Sequence, residues 1–139
     1  MENSNYIFNN INNCDLTQFI GTEVCDTIGL VIANVDPAIR GRMGFEKTYP
    51  SLGIIGSRTG AGAQIKAVDD AAKSTNIEVL SIELPRDTKS GGGHGNLILM
   101  GSDEISSVTK AVELSLEYIH HNACLLYTSL RTSFHLNFP

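Results

Sequence analysis

The chain has 139 residues, 42% hydrophobic and 18% charged, with a net charge of −5 and a pI near 5.2. That length and apolar content suit one domain with a real core and exclude a wholly disordered chain. No Lys/Arg cluster is present, which excludes the electrostatic footprint of a nucleic-acid binder, and no apolar run approaches the roughly 20 residues of a membrane-spanning helix.

Cys14, Cys25 and Cys124 are odd in number and scattered, so they make neither a disulfide framework nor a C-x-x-C metal knuckle. Reduced thiols in a cytosolic protein are the expectation. The opening residues do not read as a basic-then-apolar leader.

In chain order, residues 1–18, MENSNYIFNNINNCDLTQ, are Asn-rich and poor in branched aliphatics, and read as a flexible arm. Its Ile7, Phe8 and Ile11 suffice for one apolar turn and no core. TIGLVIANV (27–35) is a continuous β-branched run, expected as a strand covered on both faces or lying centrally. Asp36-Pro37 ends it, and Pro37 suits the first turn of a helix. Gly41 and Gly44 keep that helix short or irregular. SLGIIGS (51–57) is a second strand. Thr59-Gly60 then opens a helix with Ile65, Val68 and Ala72 on one face, which Asn76 stops. IEVLSIEL (77–84) and NLILMG (96–101) are the third and fourth strands. Ser102, Asp103 and Glu104 supply a cap and first-turn acids to a final helix. Its stripe is Ile105, Val108, Val112, Leu116 and Ile119, and His120-His121-Asn122 closes it. One sheet with helices on one face buries these stripes, an α+β sandwich of two layers. The tail ACLLYTSLRTSFHLNFP shows no clear period and reads as a non-native or disordered run-on.

The connection between the third and fourth strands carries the unusual chemistry. ELPRDTKSGGGHGNLILMG (83–101) crowds Gly91, Gly92, Gly93 and Gly95 around His94, where a hairpin needs only about two to five loop residues. A catalytic loop, a phosphate cradle, a metal site or a wall of something else all fit that composition.

Other candidates are weaker. GSRTGAGAQIK sits where phosphate-binding loops sit, but it is not G-x-x-x-x-G-K-[ST], and Ile65 occupies the third glycine of G-x-G-x-x-G. It reads as a tight strand-to-helix turn. His94 with Asp87 lacks the ligand count for zinc. His120 and His121 are neighbours that a helix points apart, and Asp69 and Asp70 likewise cannot flank one substrate. Lys73 on an exposed face reads as solvated. No nucleophile comes with a base, so no catalytic residue, metal or cofactor is assigned.

Taken together, DTIGLVIANVD, LGIIGSRTGAG, VDDAAKSTNIEVLSIELPRDTKSGGGHG and LILMG resemble a bacterial microcompartment shell protein of the tandem-domain, circularly permuted type, and within it the first domain. The resemblance runs from about Phe19 to about Ile119. It implies the microcompartment domain, a ferredoxin-like α+β sandwich, with 1–18 as an arm, 19–121 as the shell domain and 122–139 unmatched. It implies trimers acting as pseudohexagonal tiles, packed edge to edge around enzymes in a microcompartment of the bacterial cytoplasm, as in propanediol, ethanolamine or ethanol utilisation. Pores in such tiles pass small polar metabolites and retain a reactive aldehyde, with no catalysis by the shell itself. Arg86, Asp87, Thr88, Lys89, Ser90, Gly91, Gly92, Gly93, His94 and Gly95 fall where the family has its pore loop, here with an insertion. Lys73, followed by Asn76, matches the tile-edge lysine. Expected partners are copies of the chain, other shell proteins and, through the arm, encapsulated enzymes. A small-molecule-binding regulatory trimer on a ferredoxin-like fold, using the 86–95 loop, is the alternative.

Overall fold

The structure, a computed structural model, describes residues 17–58, 61–84 and 95–136; of residue 17 and residues 123–136 it describes the backbone alone. Five strands form one sheet in the order β1-β2-β3-β5-β4: β1 is Thr17–Glu23, β2 Thr27–Ile32, β3 Ser51–Ser57, β4 Glu78–Glu83 and β5 Asn96–Ser102. All four pairings are antiparallel, with register shifts between Phe19 and Gly21 in β1 and between Val79 and Ser81 in β4. Among the described residues, three helices accompany the sheet: α1 (Pro37–Arg42), α2 (Gly62–Ser74) and α3 (Ile105–Leu136).

The core lies between one sheet face and the paired helices α2 and α3. Val31, Ile55, Ile98 and Met100 from the sheet meet Ala67, Val68 and Ala71 of α2 and Val108, Ala111, Val112, Leu116 and Ile119 of α3. Each large aliphatic buried this way contributes about 1.5–3 kcal/mol. The helix sits directly on strand backbone. A Cβ on Gly29 would lie 2.8 Å from Val112 and 2.9 Å from Leu116, and one on Gly53 2.9 Å from both Val108 and Val112. Only a residue without a side chain permits so close an approach.

The other sheet face is largely open. Thr27, Gly29 and Val31 point to the core, whereas Ile28 is exposed, so β2 is central but not covered on both faces. It also ends at Ile32, three residues sooner than the apolar run suggests, because Asn34 turns the chain with φ +51 ahead of Asp36. Asp36 caps α1, its side chain accepting from Ala38 N at 2.8 Å, and Pro37 occupies the first turn.

Further features depart from the sequence reading. Strand β1 was not expected; it begins inside the stretch assigned to the arm. The β1–β2 turn runs through Cys25 and Asp26 at φ +63 and +50, a left-handed pair without the Asn-Gly or Asp-Gly signature. Helix α2 buries Gln64, Ala67, Val68 and Ala71, a face turned from the predicted Ile65/Val68/Ala72 stripe, because small side chains let α2 press on α3. The helix stops at Thr75 rather than Asn76; Thr75 Oγ1 donates to Ala71 O at 2.7 Å and Ser74 Oγ to Asp70 O at 2.8 Å, taking up carbonyls the helix end leaves free. Ile105 is 41% exposed, while Val108, Val112, Leu116 and Ile119 are buried as the stripe predicts, and α3 passes Asn122 to reach Leu136. No glycine or proline interrupts 123–136, and Ala123, Leu125, Leu126, Leu130 and Arg131 all favour helix.

Candidate functional site

Gly95, the one described residue of the predicted loop, and the Lys73–Asn76 pair lie at opposite ends of the sheet. At one end, Thr27, Ser57 and Asn96 are register neighbours across β2, β3 and β5. Thr27 Oγ1 donates to Val24 O at 2.7 Å and accepts from Gln64 Nε2 at 3.0 Å, and Asn96 Nδ2 donates to Ser57 Oγ at 2.6 Å. Thr27, Gln64 and Asn96 are buried. Buried polar groups are costly unless paired, so these bonds fix the point from which β5 begins. Gln64 Oε1 has no partner among the described residues.

This polar row is the foot of the β4–β5 connection. Of the predicted loop, Arg86, Asp87, Thr88, Lys89, Ser90, Gly91, Gly92, Gly93 and His94 lie outside the described residues, and Gly95 is described. A Cβ at Gly95 would stand 2.5 Å from Ser57 O, an approach no side chain tolerates. The glycine therefore secures one root of the loop against β3.

The second group lies at the C-terminal end of α2. Lys73 and Asn76 are both exposed, three residues apart. Lys73 Nζ donates to Asp69 Oδ2 at 2.5 Å one turn back, and the Lys73 side chain is 70% exposed. That hydrogen bond, with the Asp69 charge behind it, raises the lysine pKa above its ordinary value. The ammonium is thus held near the helix end. Lys66 and Asp70 form a parallel pair at 2.5 Å. The two aspartates, which cannot act on one substrate, each anchor a lysine.

Asn76 O accepts from Ser102 Oγ at 2.8 Å, and Ser102 Oγ also accepts from Glu104 N at 3.2 Å. One hydroxyl thereby joins the edge residue to the start of α3. Beside it is a polar niche of about 320 Å³ lined by Lys47, Tyr49, Asn76, Glu78, Ser102 and Asp103, among others. The Tyr49 hydroxyl donates to the Glu78 carboxylate, and the Tyr49 ring lies on Gly101. Lys47 Nζ stands 4.6 Å from the ring centroid, and its pKa is raised, first by Tyr49. Sequence reading missed this niche because Lys47, Tyr49 and Glu78 share no period or motif. The signal that pointed to it was Gly101, a glycine within a strand, which marks a close neighbour.

His120, one of the two neighbouring histidines, places Nδ1 3.0 Å from Glu23 Oε2 and ties α3 to the end of β1. Among the described residues no three His, Cys, Asp or Glu side chains gather into a metal-holding group.

Residues 51–131 match the BMC domain family. The bacterial microcompartment shell protein PduB of Citrobacter freundii is 57% identical over 104 residues, 75% of this chain and 38% of that protein. PduB of Limosilactobacillus reuteri is 41% identical over 122 residues, 87% of this chain and 51% of that protein. The chain thus spans about half or less of the relatives it matches. Among solved structures, a trimeric bacterial microcompartment shell protein PduB superposes with TM-score 0.67 at 45% identity, covering 73% of this chain and 45% of that one. EtuB from Clostridium kluyveri gives 0.65 at 50% identity, covering 73% and 44%. The family match begins at Ser51, the first residue of β3, so β1, β2 and α1 precede it while completing the same sheet. On its sequence match and its antiparallel sheet backed by two helices, the chain belongs to the BMC domain family.

Proposed function

We propose that the chain is a structural, non-catalytic subunit of a bacterial microcompartment shell in the cytoplasm, forming pseudohexagonal tiles with its own copies and with other shell proteins. The observation that carries this reading is the 57% identity to a shell protein over 75% of the chain. The trimeric state of a structural neighbour supports self-association. Lys73 and Asn76, exposed at the end of α2, serve as the tile-edge contact; the lysine stem lies along a neighbouring tile and its ammonium reaches backbone carbonyls.

The 86–95 loop lines a pore for small polar metabolites of a propanediol-, ethanolamine- or ethanol-type pathway and holds back the reactive aldehyde. Its glycines let backbone N–H groups approach a permeant hydroxyl or carbonyl. The support here is position: Gly95, where the loop meets β5, adjoins the polar row Thr27–Ser57–Asn96, at the end of the sheet away from Lys73.

Electron microscopy of the purified protein tests the structural role. Extended sheets or tubes are expected, and discrete particles that never tile would favour a small-molecule-binding regulatory trimer. For the pore, Gly92→Phe in assembled shells should slow metabolite entry while leaving the fold intact; unchanged flux would remove the loop from that role.

A further inference from the structure

We propose that the Tyr6–Ile11 stretch of the N-terminal arm seats in an apolar groove on its own chain, between α1 and the open face of the sheet. The groove measures about 510 Å³, and its walls include Ile32, Leu52, Ile54 and Leu99 from the sheet and Ile39 and Met43 from α1 and its end. That size falls within the roughly 300–1,000 Å³ of pockets that enclose a compact apolar ligand. Ile39 is 56% exposed, which leaves one wall uncovered.

Where the arm joins the fold points to the occupant. Thr17 is the register partner of Ile32, a residue of the groove wall. The arm therefore enters the sheet beside the groove. Ile11 lies six residues before Thr17 and Phe8 nine, within roughly 20 and 30 Å of extended chain. Tyr6, Ile7, Phe8 and Ile11 are the arm's bulky apolar residues apart from Met1 and Leu16, too few for a core of their own.

The arm and α1 carry opposite charge. Residues 1–16 carry Glu2 and Asp15 and no Lys or Arg. Helix α1 carries Arg40 and Arg42 in its last turn, and Arg40 Nε is buried with no partner among the described residues. Docking here also withdraws the arm's apolar side chains from encapsulated enzymes, so the two contacts compete.

The test is photo-crosslinking of the full chain with p-benzoylphenylalanine at position 8, in a mixture of light and isotope-heavy protein. Crosslinks to Ile39 or Met43 within one isotopic form are expected, and Ile39→Asp should reduce them at least fivefold. Crosslinks confined to α2 or α3 would overturn the proposal. So would light-to-heavy crosslinks, which would seat a second copy in the groove. A second measurement compares the methyl NMR signals of Ile39 and Met43 with and without residues 2–15. Shifts at these methyls are expected, and their absence would also refute docking.

Discussion

Lys73 and Asp69 face each other across one turn of α2, with Nζ and Oδ2 2.5 Å apart at the exposed end of the helix. The aspartate keeps an exposed ammonium positioned and charged, outside the buried core. Lys73→Ala should leave the thermal midpoint of the isolated oligomer nearly unchanged and abolish sheet formation in electron micrographs. Sheets formed by that variant would take Lys73 out of the contact.

The same pair sets a pH dependence. Because the folded lysine pKa lies above its ordinary 10.5, the pair stabilises the fold fully below that value, and its contribution is lost as pH rises through the raised one. The Lys73 ε-carbon signal should titrate at lower pH in Asp69→Asn than in the parent chain, measured by NMR. Equal midpoints would show that Asp69 does not hold the ammonium in solution.

Gly53 tests how α3 meets the sheet. Its added Cβ would stand 2.9 Å from Val108 and from Val112 and 3.3 Å from Met100. Gly53→Ala should cost about 1–3 kcal/mol in urea denaturation, the range for overpacked cores. Combining it with Val112→Ala makes room for the new methyl. The double variant should therefore lose less than the sum of the two single changes.

Gly95→Ala should weaken the loop root by about 1–3 kcal/mol as well, since the clash is with a backbone oxygen that no trimming at Ser57 can remove. Hydrogen exchange should quicken first at the amides where β5 starts. Uniform exchange across the sheet would place the strain elsewhere.

Ending the chain after Asn122 should change stability by no more than about 0.5 kcal/mol, because Ile119 is the last described core residue of α3. A larger loss in calorimetry would assign the end of the helix to the fold.

The sequence showed the architecture where a local pattern and a tertiary demand agree. The α3 stripe from Val108 to Ile119 is one such case, since a single period both forms the helix and covers the sheet. β1 was illegible because Cys25 and Asp26 make a left-handed turn that their identities do not announce. The buried face of α2 was misread because alanines, weak as apolar signals, are what a close neighbour such as α3 selects. Lys73 and Asn76 drew attention only through resemblance: charge on an exposed helix looks the same whether it meets water or another tile. Tyr49 and Glu78 meet from positions 29 residues apart, a relation no window along the chain contains.

The two outermost strands, β1 and β4, are the ones whose pairing slips register, between Phe19 and Gly21 and between Val79 and Ser81. A slip of this kind bends the free margin of a strand and spoils the even ladder another backbone would need to add on. A subunit that tiles laterally, as proposed above, must avoid growing as a fibre instead. With both margins kinked, strand-by-strand polymerisation is discouraged at each side of the sheet. In the proposed tile, growth is left to side-chain contacts such as those of Lys73.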